Sequence, residues 1–334
     1  MSSIKADLIP YLEKYGSHCM AYTSLEPTLE CFLVDDLGYV AFKRFKHWFW
    51  AMKERVIVLA DPVCAPEDML ELLNKFLEKY PNSIFVQSSR FFAEVLDKKG
   101  FQVNQFGIET DLPTANFDLA GKARAKLRQW RNKCQREGVE IVEKPIEECT
   151  NHDEIQALSQ RWLEKKGGSE YSFLVRPLRN HNEKDVRYFW AYTKDGGRQK
   201  LIGLAVFDPI YRNKKVIGYY HNIDRIDDVA PHGTSVSIVL HAMEVFKQEG
   251  VGKVSLGMSP LCLQRGLSSE LNFNMFTRKS LWYAFEKLNF IYPFKGNATH
   301  KKKFNGKQTP VYFSSTKGTS LWQVLVMTKS NGMF

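Results

Sequence analysis

Four consecutive pieces decide the fold: V-I-G-Y-Y-H-N-I-D-R (216–225), I-D-D-V-A-P-H-G-T-S (226–235), V-S-I-V-L-H-A-M-E-V-F-K-Q-E-G (236–250) and V-G-K-V-S-L-G-M-S-P-L (251–261). The first is β-branched and aromatic and runs into a charged turn carrying Pro231 and Gly233, so it reads as a strand followed by a loop. The third repeats apolar residues at helical spacing, Val236, Val239, Leu240, Met243 and Phe246, and stops at Gly250. The apolar run 251–256 reads as a buried strand. The unit is therefore strand, glycine-containing loop, helix, strand. Its helix begins where backbone N–H groups lack intrahelical partners, a place that suits an anionic or carbonyl group. Any α/β protein holds such units, and the chain has neither a G-x-x-x-x-G-K-[ST] nor a G-x-G-x-x-G pattern. The loop alone names no ligand.

Working outward, 201–208 and 216–223 form a predicted hairpin through Y-R-N-K-K, preceded by a helix over 155–163 and a strand over 187–193. A helix over 281–287 and late strands over 311–314 and 321–327 follow. The first 110 residues show a similar rhythm. A helix over 5–15 leads to strands over 31–34 and 39–42 around D-D-L-G. Then come a strand over 56–59, a helix over 69–80, a strand over 84–87 and a helix over 91–99 ending at Gly100. No sequence repeat links the halves, so duplication rests on rhythm alone. The aromatic segment H-W-F-W-A-M (47–52) suits core packing or a patch that contacts lipid or bases.

The chain's 334 residues allow two ordinary domains or one large one. A composition of 44% hydrophobic and 25% charged residues is that of a soluble globular protein. No apolar run approaches the roughly 18 residues of a membrane span, and the start M-S-S-I-K-A-D-L-I-P-Y-L lacks signal-peptide design, so a cytoplasmic place is expected. Six cysteines (Cys19, Cys31, Cys64, Cys134, Cys149, Cys262) without a C-x-x-C pair argue against a zinc site or a disulfide framework. A net charge of +10 favours a polyanionic partner, nucleic acid or an anionic membrane surface.

Two segments concentrate that charge. Residues 117–138 read F-D-L-A-G-K-A-R-A-K-L-R-Q-W-R-N-K-C-Q-R-E-G, where Ala123, Leu127, Trp130 and Cys134 share one helical stripe. The other faces carry Lys122, Arg124, Lys126, Arg128, Arg131, Lys133 and Arg136, with no acid between Lys122 and Glu137. Such a run is either a solvated face or, since its self-repulsion lacks i±4 relief, a surface for phosphates. The second segment, F-K-G-N-A-T-H-K-K-K-F-N-G-K-Q-T-P-V-Y-F (294–313), interleaves lysines with aromatics. It suits a single-stranded RNA end or a lipid headgroup surface, or a solvated loop held by aromatic anchors.

Four segments together resemble the soluble transferase domain of the phosphatidylglycerol lysyltransferases and related aminoacyl-lipid synthases. They are 117–138, N-I-D-R-I-D-D-V-A-P-H-G-T (222–234), V-S-L-G-M-S-P-L (254–261) and F-K-G-N-A-T-H-K-K-K-F (294–304), followed by Pro310 and Tyr312. Order and spacing agree over roughly 105–315. The resemblance implies an α/β (α+β) fold of two tandem acetyltransferase-like (GNAT) domains, each a mixed twisted sheet flanked by helices. On that footing 1–116 is the first domain, 117–138 a basic linker helix and 139–334 the catalytic domain. It also implies transfer of an amino acid from aminoacyl-tRNA to a lipid hydroxyl such as that of phosphatidylglycerol. No metal and no cofactor beyond the tRNA co-substrate are called for, and the protein would sit peripherally on the inner membrane face.

Carried onto this sequence, the family pattern puts Asn222, Asp224, Arg225 and Lys301 among the catalytic candidates. Glu170, His221, His232, Gly233, Thr234, Lys303 and Tyr312 become substrate-binding candidates. Lys122, Arg124, Lys126, Arg128, Arg131 and Lys133 become tRNA contacts. The pattern's acid falls on Asn222, which cannot serve as a base at neutral pH; Asp224 or His221 could supply one instead, and a changed acceptor, a changed amino acid or lost activity are all compatible with the departure. Strand alternation sends His221 and Asn222 to opposite faces. Val311 stands where the family has Arg. Two other readings compete: an acyl-CoA-dependent N-acyltransferase, against which the 228–234 loop offers a single glycine, and a non-catalytic module that binds tRNA or membrane.

Overall fold

The computed structural model describes residues 3–45, 54–148, 152–165, 176–195, 197–263, 271–287 and 294–316. The predicted strand over 321–327, the aromatic segment 47–52, Cys149 and Glu170 lie outside the described residues.

In chain order the helices are α1 (Ser3–Ala6), α2 (Ile9–Tyr15), α3 (Met69–Lys79), α4 (Arg90–Lys98), α5 (Ala125–Arg136), α6 (His152–Lys165), α7 (Thr234–Gln248), α8 (Met275–Lys287) and α9 (Phe294–Lys302). The strands are β1 (Glu30–Val34), β2 (Gly38–Phe45), β3 (Arg55–Leu59), β4 (Val63–Cys64), β5 (Ile84–Ser88), β6 (Gln102–Pro113), β7 (Glu140–Glu143), β8 (Arg187–Asp195), β9 (Arg198–Arg212), β10 (Lys215–Ile226), β11 (Lys253–Pro260) and β12 (Lys307–Ser315). The predicted helix over 5–15 is broken ahead of α2, whose second residue is Pro10, still in the first turn where a missing N–H costs nothing.

All these strands join one mixed sheet in the order β1-β2-β3-β5-β12-β6-β11-β10-β9-β8-β7, with β4 beside β2. The expected two sheets are thus one. The late strand β12 inserts between β5 and β6, and β6 pairs on its other side with β11, so backbone hydrogen bonds run unbroken from one half to the other. Around this middle the halves mirror each other. The parallel pair β3/β5 is bridged by α3, and the parallel pair β10/β11 by α7.

Alternation along the strands feeds two layers of core. Leu204, Val206 and Ile223 pack with α2 and α6 residues, and Ile57, Val86 and Phe313 continue that side with Leu281 and Phe294. On the opposite side Ala205, Phe207 and Tyr219 pack with α5 and α7, and Val58, Phe85 and Tyr312 with α3 and α4. We refer to these as the α6 face and the α7 face. The helix α9 joins them, since Phe294 is buried on the α6 face and Phe304, just beyond its end, on the α7 face.

A buried ion network locks the α6 face. Arg176, 1% exposed, places Nε 2.9 Å from both carboxylate oxygens of the fully buried Asp208 and Nη1 2.5 Å from Glu183. Breaking a buried pair from one side leaves the other charge stranded, at a cost of about 3–5 kcal/mol. Arg176→Met is therefore expected to lower unfolding free energy by about that amount, read from urea melts, whereas exposed Arg44→Met, which loses surface pairs with Glu30 and Glu54, is expected to change it by less than about 1 kcal/mol.

Candidate functional site

The parallel strands β10 and β11 share only three residue pairs, Gly218–Lys253, Tyr219–Val254 and Tyr220–Ser255, before they part. Both continue, β10 to Ile226 and β11 to Pro260. The result is a wedge at their C-terminal ends, the position where open α/β sheets hold ligands. Gly257 allows the split: its φ of +70° is left-handed, and a Cβ there would lie 2.6 Å from the Tyr220 ring.

The β10 side of the wedge is shaped by a bulge. His221 pairs with Phe207 and Ile223 with Val206, leaving Asn222 unopposed. In a regular strand residues 221 and 224 point to opposite faces; one extra residue puts them on the same face. His221 stacks on Phe207 of the α7 face at 5.0 Å, and Asp224 accepts a hydrogen bond from the Ser235 hydroxyl of α7 at 2.6 Å. Nε2 of His221 and Oδ1 of Asp224 are both buried without a hydrogen-bond partner. Burial lowers the His221 pKa, against the pull of the Asp224 charge.

The same bulge sends Asn222 and Arg225 to the α6 face. Asn222 donates to Asp208 at 2.6 Å, joining the Arg176 network, which is a use for an amide where the family pattern has an acid. Arg225, 2% exposed, lies 3.7 Å over the Trp162 ring of α6. These two catalytic candidates are therefore separated by the sheet from His221 and Asp224. Strand alternation anticipated the separation of His221 from Asn222; the bulge that pairs His221 with Asp224 left no mark in the sequence.

The tail segment, read from sequence as a basic cluster, is helical, and α9 brings two side chains to the wedge. Lys301 donates from Nζ to the Met258 carbonyl of β11 at 2.8 Å, and burial lowers its pKa to about 8. His300 feels the Asp224 charge, yet burial holds its pKa down at about 4. Close enough to act on the Lys301 charge lies a half-buried polar cluster that sequence reasoning missed. The Cys19 thiol donates to Glu109 of β6, and Lys253 pairs with Asp111 at 2.7 Å. Desolvation, with the neighbouring Asp111 charge, raises the Glu109 pKa. These residues come from three distant stretches: the pairing of β6 with β11 brings Glu109 and Asp111 to Lys253, and Cys19 joins through its thiol.

Trp130 of α5 caps the other side of the loop. His232 meets its ring edge-on at 5.1 Å and His300 stacks at 6.4 Å, while Lys303 and Lys126 lie 4.6 and 5.5 Å from its centre. Gly233, with φ of +110°, is required here: a Cβ would approach Trp130 Cβ to 2.5 Å. Thr234 is buried and bonds back to Pro231 at 2.7 Å. Tyr312 does not join the wedge; it is buried in the core of the first half with Phe85 and Phe92.

The basic segment divides in two. Residues before Ala125 are not helical, and Ala123 is exposed rather than on the buried stripe of Leu127, Trp130 and Cys134. Arg124 is spent on the Phe304 carbonyl (3.1 Å) and the Asp118 carbonyl (2.7 Å), and Arg128 on the carbonyls of Leu119 and Gly121. Lys133 pairs with Glu137 at 3.6 Å. Lys122 and Lys126 stay exposed, and Arg131 turns into a cavity beside α7.

Two outcomes test this geometry. Gly233→Ala is expected to cost about 1–3 kcal/mol through backbone strain and the Trp130 clash, measured by urea denaturation. Lys301 is deprotonated more readily folded than unfolded. From pH 8 to 10.5 the unfolded chain keeps a proton that the native chain has released, so stability gains a rising contribution with pH in that window. Lys301→Met is expected to remove that slope in melts at pH 7.5 and 9.5.

The sequence profile of the family described as phosphatidylglycerol lysyltransferase, C-terminal, matches residues 21–314. A phosphatidylglycerol lysyltransferase of Bacillus subtilis (strain 168) is 23% identical over 301 residues, covering 85% of this chain and 33% of the relative, so the chain spans about a third of that protein. Among solved structures, L-PGS from Bacillus licheniformis superposes with a TM-score of 0.77 at 19% identity, covering 98% of this chain and 96% of that one. The C-terminal domain of a putative lysylphosphatidylglycerol synthetase from Agrobacterium fabrum gives 0.74 at 19% identity, over 98% and 96%. The match across nearly the whole chain places it in the phosphatidylglycerol lysyltransferase C-terminal family.

Proposed function

We propose that the chain is an aminoacyltransferase that moves an amino acid from aminoacyl-tRNA to the hydroxyl of a lipid such as phosphatidylglycerol, with the β10/β11 wedge as the reaction site. The observation that carries the reading is the pair of orphaned atoms on one face, His221 Nε2 and Asp224 Oδ1. Buried polar atoms without partners are rare, and a substrate drawn into the gap between the strands would give both of them a hydrogen-bond partner.

In this reading His221 is the general base. It takes the proton of the acceptor hydroxyl as that oxygen attacks the ester carbonyl. The tetrahedral intermediate collapses by breaking the bond to the terminal ribose of the tRNA, whose oxygen takes the proton back from the imidazolium. Products are aminoacyl lipid and free tRNA. Asp224 stabilises the transient imidazolium, and Lys301 stands at the β11 side as donor to the developing oxyanion. The exposed Lys122 and Lys126, with Lys303 beside Trp130, supply the tRNA surface. Arg124 and Arg128 instead shape it by holding 118–121 and 304 in place. The symmetry about β6 and β12 supports reading the sheet as two GNAT-like halves that share their last strands. The lipid acceptor places the protein peripherally on the inner membrane face.

A CoA-dependent reaction is the weaker reading. Trp130 packs directly on Gly233, so a side chain already covers the loop where a pyrophosphate would need bare backbone N–H groups.

The test supplies purified protein with tRNA charged with labelled amino acids and a lipid extract, and follows label into the organic phase. His221→Asn and Asp224→Asn are each expected to lower kcat by about 10²–10⁴-fold, with little change in tRNA binding. The acid limb of kcat/KM is expected below pH 6.5, because burial keeps His221 neutral there. Transfer that persists undiminished in His221→Asn would remove this base from the mechanism.

A further inference from the structure

A second cavity, of about 430 Å³, opens between α5, α7 and the 114–119 segment. The apolar part of its lining is built from Phe117, Leu119, Val139, Ile141, Leu240 and Met243. Thr114, Asp118, Gln135, His241, Glu244 and Lys247 also line it, and two polar atoms of the lining are buried without a hydrogen-bond partner: Nε of Arg131 from α5 and Oγ of Ser237 from α7. Ser237 is only 4% exposed, so open solvent does not satisfy it.

A guanidinium N–H and a hydroxyl without partners, set in an apolar wall, complement a ligand that brings an acceptor and a chain together. The other charges at the cavity do not cancel Arg131. Asp118 is 3.4 Å from Arg124, Lys247 reaches the Phe117 carbonyl at 3.5 Å, and Glu244 is exposed. An apolar ligand alone would leave Arg131 unmatched, and a bare anion would leave the apolar wall wet. The volume is within the range of about 300–1,000 Å³ usual for small-ligand sites.

We propose that this cavity binds an anionic lipid, with an acyl chain against the Phe117, Ile141 and Leu240 wall and the charged head on Arg131 and Ser237. The site is separate from the wedge and does not depend on the transfer reaction. It also assigns Arg131, a residue of the basic helix, to lipid rather than to tRNA.

The experiment is calorimetric titration of the full chain with decyl phosphate below its micelle concentration, in the absence of tRNA. Inorganic phosphate and decanol serve as separate arms. Saturable binding of one decyl phosphate per chain is expected, weakened at least tenfold by Arg131→Gln and blocked by Ser237→Leu, which fills the cavity. Melting temperatures of both variants near that of the parent chain establish that they fold. Should either variant fail to fold, Leu240→Trp, which fills the same cavity from another position, takes its place. Equal affinity in the folded variants, multiple unsaturable sites marking surface adsorption, or phosphate and decyl phosphate binding alike would each overturn the proposal. Because no aminoacyl-tRNA is present, the result stands apart from the success or failure of the transfer assay.

Discussion

The structure turns on a parallel strand pair that cannot stay together. β10 and β11 hydrogen-bond over three residue pairs and then part, with α7 packed on one side and α9 crossing between the layers. A gap in a sheet strands backbone and side-chain polar groups that strand pairing otherwise satisfies. Here the gap gathers the Met258 carbonyl, held by Lys301, and the unpartnered atoms of His221 and Asp224. The bulge at Asn222 decides which β10 side chains see that gap. The α5 helix, through Trp130 on Gly233, fixes the loop that opens it.

Charge follows the same division. On the α6 face the Arg176–Asp208–Glu183 network is buried and tightly hydrogen-bonded, with Asn222 donating into it, which fits a scaffold role. Around Lys301 the balance is different. Burial pushes Lys301 down and Glu109 up, so both are driven toward their neutral forms. A site whose ionisable groups are held near neutrality responds to an arriving charged substrate, whereas a locked ion pair does not.

Much of the fold was legible because its helices and strands keep strict periods. The α7 stripe, the 201–223 hairpin and the β3–α3–β5 unit all appear as the residues suggest. The strand β6 was not read: Q-V-N-Q-F-G-I-E-T-D-L-P mixes polar residues into both faces, because Asn104, Glu109 and Asp111 are used for half-buried hydrogen bonds and an ion pair. The helix α9 was hidden by its lysines, since a helix crossing between two layers shows no single apolar stripe. For the site, the segment 221–234 was found and alternation separated His221 from Asn222, but the return of Asp224 to the face of His221 was not read. A bulge is a property of pairing with β9, and a single strand's sequence does not announce it. Charge counting likewise overstated the basic segment. Arg124 and Arg128 are consumed by backbone carbonyls, which no count of residues reveals.

The central claim is that the transferred acyl group sits on the α7 face of β10, between His221 and Lys301. It is tested most directly by a crystal structure with an amide-linked aminoacyl-adenosine, an unreactive stand-in for the charged tRNA end. The account predicts the amide carbonyl in the β10/β11 wedge, within hydrogen-bond reach of His221 Nε2 or the Lys301 ammonium. Finding it on the opposite face, against Arg225 and Trp162, would contradict the account and return the reaction to the arginine side of the sheet.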